Sequence, residues 1–483
     1  MSDAISILEE LVQEAQVKTD LKLYLEREEA GDAELFASMF QKRVVFDNAA
    51  HAWFLWTGNH WKRDRVGEVR QLVITRLAAE YGRAGTNALE RGSKDEHKAF
   101  RGREKALLTL RRIARVLELC ESHPLLRLDG EEWDLDPMVL GVNNGVIDLQ
   151  TGTYRAGSPG EYLRAHAPTD WLGIDQPAPQ WDKFIREIFA GDEEMMGFIQ
   201  RLAGYCITGT SSEHRLPILY AADGRSGRTT MLETIAAVLG TDLSYATQAD
   251  MLMNVKRDAS GPQPFVYALR GKRLVWASES REGQQINAGL AKQLTGGDRI
   301  TTRTHHQEAV TFKPTFTVML LTNHRPHISA DDQAMWDRVL LIEFNQRFID
   351  DPKAPNEHKR NQDLPKILQA ESAGILAWLV RGCLAWQQQG LCPPAKVLGA
   401  TESYRDEEDT IQQFIDERCI LGPGVEVKAG GLYKAYQTWT QEYGIRSMSL
   451  TAFGPKIKKK IKQDSNFEKR RDGIYYLGIG LLV

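Results

Sequence analysis

The residues whose types and spacing best suit chemistry lie between positions 217 and 240, PILYAADGRSGRTTMLETIAAVLG. A short apolar run at 217–220 predicts a strand, 221–227 a glycine-bearing loop, and 229–239 an apolar-periodic helix. That arrangement wraps a phosphate chain: loop N–H groups point inward, the helix N-terminus adds positive partial charge, and a cation neutralises the terminal phosphates. Against the pattern G-x-x-x-x-G-K-[ST], the register is Ala222-Asp223-Gly224-Arg225-Ser226-Gly227-Arg228-Thr229, followed by Thr230. Alanine replaces the first glycine and arginine the lysine. Taken alone, so degenerate a loop reads equally as a plain strand-turn-helix.

The segments that follow change that balance. An apolar strand at 273–277 runs into Ser278-Glu279, where a phosphate-loop enzyme needs an acid to orient the metal's water or polarise the attacking one. An ordinary strand-end glutamate is the bland alternative. Next comes KQLTGGDRITTR, from Lys292 to Arg303, and a second alternating segment at 309–314. Together they predict a β-hairpin with a polar tip carrying His305 and His306. A further apolar strand at 316–321 ends in Thr322-Asn323, whose amide can bond both a γ-phosphate and the lytic water. Trp336-Asp337-Arg338 then leads into a strand at 339–344, placing Arg338 at a strand edge within reach of a neighbouring subunit.

The elements that must hold these groups are those of an ordinary globular chain of 483 residues, long enough for about three domains. The formal net charge of −4 provides no global basic field, so any nucleic-acid surface must be local. Five cysteines without C-x-x-C pairing argue against a zinc ribbon or disulfide scaffold and fit a reducing cytosol. The acidic, helical start lacks signal-peptide character, and no apolar run approaches membrane-spanning length. A soluble protein, cytoplasmic in a bacterial host or phage-encoded, is expected.

Five regions are expected: a helical arm at 1–30, a small α+β domain at 31–130, a mainly helical collar at 131–209, the phosphate-loop core at 210–395 and a C-terminal domain at 396–483. In the second, Phe46, Trp53, Phe54, Trp56 and Trp61 form either a base-stacking surface or, more ordinarily, the core of a small sheet. The basic stretch 98–115 is a solvated helix face or a nucleic-acid contact. Residues 167–179 look like a proline-bearing linker. In the last region, helices at 406–421, 425–443 and 449–461 precede a two-stranded ribbon, which fits a winged helix. Lys458, Lys459 and Lys462 crowd its third helix, and Lys469, Arg470 and Arg471 lead into the wing, a pattern suited to duplex binding or to solvation.

The order of phosphate loop, strand–Ser–Glu, KQLTGGD, hairpin, F-x-P, strand–Thr-Asn and W-x-R resembles the superfamily-three helicases, and most nearly the phage/plasmid primase–helicase family with its poxvirus relatives. NNGVIDLQTG, FIQRLAGYCITG and the closing LYKAYQTWTQEYG to GIYYLGIGL extend the resemblance over residues 35–483. It implies an α/β fold, a phosphate-loop (AAA+-like) core with a mainly helical N-terminal region and a C-terminal winged helix. It implies a homo-oligomeric ring, usually hexameric, with ATP between subunits, translocating on single-stranded and forked DNA in replication, with a separate primase or polymerase as a possible partner. Ala222, Gly224, Ser226, Gly227, Arg228, Thr229 and Thr230 would hold ATP, with Thr229 and Glu279 at Mg²⁺. Glu279 would activate water, Asn323 would sense the γ-phosphate and Arg338 would reach in from the next subunit. Lys292, Arg303, His305 and His306 would face DNA in the channel. No N-terminal strand ends in Asp-x-Asp or Asp-x-Glu, so primer synthesis is not expected.

Two departures bear on hydrolysis. Ser278 stands where many phosphate-loop ATPases have a second carboxylate. Arg228 is bulkier and planar where the family has a compact ammonium. A nucleotide-binding but weakly or non-hydrolysing DNA-binding ring, a loader or scaffold, is therefore the alternative to a motor. A monomeric DNA-binding protein with a vestigial ATPase fold is a third reading.

Overall fold

A computed structural model describes residues 21–255, 263–278, 281–303, 309–444, 447–461 and 467–482. The first core forms where helix Glu28–Phe40 meets helix Leu110–Glu121: Leu35, Phe36 and Phe40 bury against Ile113, Val116 and Leu117, with Val73 and Tyr81 beside them. In the basic stretch 98–115, Lys98, Lys105, Arg111 and Arg115 are exposed, as a solvated face requires, but Arg103 and Arg112 turn inward. Arg103 is only 7% exposed and reaches Asp32 and Glu28 at 2.8 Å each; Arg112 reaches Asp32 at 2.8 Å. Asp32, fully buried, also accepts from the Tyr81 hydroxyl at 2.8 Å. The network joins the first helix to two helices some seventy residues on, which no local pattern signals.

The aromatic cluster is a sheet core. Strands Val44–Asp47, Ala52–Trp56 and Trp61–Arg63 pair antiparallel, and Arg127–Leu128 adds in parallel. Phe46, Phe54 and Trp61 are buried, and the Trp133 indole donates to Asp47 at 2.6 Å. The expected helical collar begins instead with a second four-stranded sheet of Val139–Val142, Gly145–Asp148, Thr153–Arg155 and His166–Ala167. It becomes helical only at Pro179–Ile188 and Glu193–Tyr205. The expected linker is packed: Thr169 and Trp171 are buried, and the Thr169 hydroxyl donates to Val238 O at 2.8 Å.

The central sheet has five parallel strands: β1 (Leu216–Tyr220), β2 (Ser244–Gln248), β3 (Leu274–Ser278), β4 (Thr317–Thr322) and β5 (Val339–Glu343), in the order β2-β3-β4-β1-β5. A parallel sheet must be covered on both faces, and the period-two alternation does this. Leu219, Leu274, Trp276, Met319 and Leu321 pack under helices Glu193–Tyr205, Arg228–Leu243 and Ser372–Gln389. Ile218, Val275, Ala277 and Leu320 face Leu294, Trp336 and Tyr404 on the other side. Tyr404 lies on helix Ala395–Glu408, whose Thr401 hydroxyl accepts from Leu341 N at 2.9 Å, so this helix packs with the core rather than with the C-terminal unit. Among the described residues no single helix is long and apolar enough to cross a membrane.

The C-terminal helices begin and end elsewhere than expected. Asp409 caps a new helix, Thr410–Arg418, by accepting from Gln412 N at 3.0 Å. Residues 419–421, expected as helix, open the strand Cys419–Lys428, and the next helix is Ala429–Glu442. With helix Leu450–Lys460 and strands Phe467–Arg470 and Gly473–Leu481, the unit holds, among the described residues, three helices and a three-stranded sheet instead of a two-stranded ribbon. Cys419–Lys428 supplies the extra strand, pairing with Gly473–Leu481 over Cys419–Leu421 and Glu426–Lys428 with a register shift between the two stretches.

Asp32→Ala should destabilise the protein by about 3–5 kcal/mol in urea unfolding, because it leaves the Arg103 guanidinium buried and partly uncompensated; Arg115→Ala, an exposed member of the same stretch, should cost under about 1 kcal/mol.

Candidate functional site

The carboxyl ends of β1 and β4 lie side by side, Tyr220 pairing with Thr322, while Glu343 of β5 flanks Tyr220 on the other side. The chain runs from β1 to the far edge of the sheet and returns through β3 and β4, so β1 sits where strand order reverses. Ligands of open α/β sheets collect in the crevice beyond the carboxyl ends at such a point.

The loop 221–227 crosses this crevice. Ala221 N donates to Thr322 O at 3.3 Å, and Phe348 N donates to Arg225 O at 2.9 Å, fastening the loop at both ends. Arg225 and Gly227 hold left-handed backbone, with φ of 64° and 85°. A Cβ on Gly227 would fall 2.6 Å from Ile188 Cγ2, so glycine is required there by both conformation and space. Ala222, Asp223 and Gly224 are exposed, and helix Arg228–Leu243 follows with Thr229 exposed and Thr230 half-buried in its first turn.

Arg228 turns inward. Its Nε donates to the Ser226 hydroxyl at 2.9 Å, Nη1 to Leu219 O at 2.9 Å and to Thr322 O, and Nη2 to Asn323 Oδ1. Only 7% of the residue is exposed; burial lowers its pKa to about 10, so it stays charged at neutral pH. The acceptors are backbone carbonyls, a hydroxyl and an amide, with no carboxylate among them. Asn323 is exposed, held in a turn where His324 N donates to the Thr322 hydroxyl at 2.9 Å. The structure therefore brings Ser226, Gly227, Arg228 and Asn323 together. Ser278 ends β3 two strands from β1; Glu279 lies outside the described residues.

Beside the loop opens a hollow of about 410 Å³ lined by Ile188, Phe189, Met195, Asn345, Gln346 and Lys396. Ile188 lies under Gly227, so loop and hollow share a wall. Nothing in the spacing of these residues announced it, since they come from three distant segments.

Arg338 is at the opposite, amino end of the sheet, where its carbonyl accepts from Leu216 N at 2.7 Å. A five-residue strand separates it from its own loop by roughly 17 Å. Its Nη1 donates to Ala334 O, while Nε is buried without a partner among the described residues.

The remaining predicted residues are scattered. Lys292, on helix Ala288–Thr295, reaches both Asp332 oxygens at 2.8 Å. Strands Ile300–Thr302 and Val310–Phe312 form the expected hairpin, with Arg303 exposed at its end; His305 and His306 lie outside the described residues. Of the C-terminal cations, Lys458 stands 3.4 Å over the Phe467 ring, and Lys459 reaches Asp331 at 3.3 Å. Arg470 is clamped by Glu426 at 2.6 and 2.7 Å and by Glu468. Those two carboxylates push its pKa up. Lys469 and Arg471 are exposed, and Lys462 lies outside the described residues. Asp331 and Asp332, missed by sequence reasoning, thus receive cations from both the core and the C-terminal helix.

Three comparisons bear on this arrangement. Residues 33–190 match the family described as D5 N terminal like, 219–338 a family of unknown function, and 406–476 the family described as poxvirus D5 protein-like. Among curated relatives, a protein of Acanthamoeba polyphaga mimivirus named as a putative helicase is 28% identical over 63% of this chain and 33% of its own length. A putative helicase of Invertebrate iridescent virus 3 is 21% identical over 84% of this chain and 49% of its own. The chain thus spans between about a third and a half of these relatives. The solved C-terminal region of NrS-1 is similar with a TM-score of 0.46 and 11% identity, covering 90% of this chain and 96% of that one.

Arg228→Ala removes the donor that Leu219 O, Thr322 O and Asn323 share. It should lower stability by about 1–3 kcal/mol in urea unfolding, whereas Arg225→Gly at the left-handed position should be neutral or stabilising.

Proposed function

We propose, from the D5-like matches at 33–190 and 406–476 and the relatives named as putative helicases, that the chain is an ATP-dependent, ring-forming DNA helicase that translocates on single-stranded DNA during replication. The observation that carries this reading is the convergence of loop 221–227, the first turn of helix Arg228–Leu243 and Asn323 at the carboxyl ends of adjacent parallel strands.

The exposed loop amides and the helix N-terminus would receive the phosphates, with the nucleoside in the hollow beside Ile188. The exposed Thr229 hydroxyl suits Mg²⁺, which keeps several waters and few protein ligands; Thr229 would hold it, with Glu279 nearby, and the ion would supply charge neutralisation. Asn323 would orient the water that Glu279 polarises. Arg338, distant from its own loop, would stabilise the transferring phosphoryl group of a neighbouring subunit. The hairpin would carry Arg303, His305 and His306 to the strand in the channel. The C-terminal unit would serve as a winged helix, contacting duplex through Lys469 and Arg471.

One observation favours the alternative, a ring that holds nucleotide and DNA with little turnover. Arg228 spends its donors on Ser226, Leu219, Thr322 and Asn323, so nucleotide must compete for both the cation and the sensing amide. ATP turnover with and without single-stranded DNA separates the two. A motor shows DNA-stimulated hydrolysis in the unaltered chain, lost in Glu279→Ala. A holding ring shows none until Arg228→Lys supplies the compact ammonium.

A further inference from the structure

At the amino end of the central sheet, opposite the phosphate loop, lies a cleft of about 860 Å³. One wall is the N-terminal sheet, ending in Lys62, Arg63 and Arg65. The floor is Arg164 and His166 from the second sheet. The far wall is Asp242, just before β2, and Arg270 to Lys272, just before β3. Six cations face three carboxylates there, a local surplus of three positive charges on a chain whose net charge is −4.

Two of those carboxylates are already engaged. Asp134 accepts from Arg164 N and Ala165 N at 2.9 and 3.0 Å and pairs with the Arg164 guanidinium at 3.2 Å. Asp242 stands 3.5 Å from the His166 ring. Glu68, the third, lies exposed in the first turn of a short helix. The sequence Lys62-Arg63-Asp64-Arg65 suggests that Asp64 neutralises its neighbours, but its two oxygens accept four backbone N–H bonds, from Val66, Gly67, Glu68 and Val69, at 2.7–3.1 Å. Lys62, Arg63 and Arg65 are all exposed and make no ion pair among the described residues. Between the walls, the His60 and His166 rings stack at 3.6 Å, half-buried, a flat surface within a cationic frame.

Unpaired cations along one wall, further cations opposite and a flat ring surface between them are the components of a groove that tracks a phosphodiester backbone and rests bases on rings. We propose that this cleft binds the backbone of a single-stranded nucleic acid, at a site separate from the hairpin and from the C-terminal unit. The inference stands apart from the phosphate-loop reading: the strand would contact the amino ends of β2 and β3, and binding requires no hydrolysis.

The test uses the full chain without nucleotide, measuring fluorescence anisotropy of labelled oligo-dT between about 50 and 200 mM KCl. The combined variant Lys62→Glu, Arg63→Glu, Arg65→Glu is compared with Arg76→Glu, Lys98→Glu, Lys366→Glu, an equal charge change at exposed positions outside the cleft. Circular dichroism melts establish that both fold. The cleft variant should bind at least about tenfold more weakly, and its slope of log K against log salt should flatten by about 2, at roughly 0.7 per phosphate contact; the control should lose less than about threefold. Equal losses in the two variants would overturn the proposal. So would undiminished oligo-dT binding by the cleft variant with the defect confined to inorganic tripolyphosphate or a blunt duplex.

Discussion

A single guanidinium ties together the carboxyl ends of the two strands on which the candidate site is built. The backbone carbonyls of Leu219 and Thr322, near the carboxyl ends of adjacent strands, both accept from Arg228, which also holds Ser226 and Asn323. A planar fork with five donors can bridge two strands at once; an ammonium of three donors on a flexible stem cannot do so in the same way. The arginine in the phosphate-loop register is thus a structural element as much as a chemical substitution. This side chain adds to the backbone bonds that fasten the loop and holds the Asn323 amide against it.

Much of this was legible in the sequence because it depends on local rules. Glycine at 227 marks a left-handed turn pressed on Ile188, and the alternation along β1, β3 and β4 reports two covered faces. The inward turn of Arg228 was not legible, since its acceptors are backbone carbonyls whose positions depend on the assembled sheet. Nor was the buried Asp32 network, whose partners stand seventy to eighty residues away. The C-terminal boundary was misplaced for a related reason. Helical periodicity continues across Asp409, yet the helix before it packs on β5 and the one after it in a separate core with Trp439 and Phe453.

Charge shows the same contrast. Basic runs at 98–115 and 456–471 draw attention in the sequence, but Arg103, Lys459 and Arg470 are answered by acids brought from elsewhere in the fold. The shorter run at 62–65 reads as ion-paired within itself, and among the described residues it is not, because backbone amides occupy its aspartate. Which cations are available to a polyanion is a property of the tertiary structure, and neither net charge nor local density predicts it.

The central claim is that the carboxyl ends of β1 and β4, with the adjoining hollow, form a nucleotide site. Photolabelling the full chain with 8-azido-ATP and Mg²⁺, then mapping the modified peptides, tests that location directly. Labelling of the segments around Ile188–Phe189 or Asn345–Gln346, suppressed by excess ATP, is the predicted result. Labelling confined to other segments, or labelling that ATP does not suppress, would contradict it.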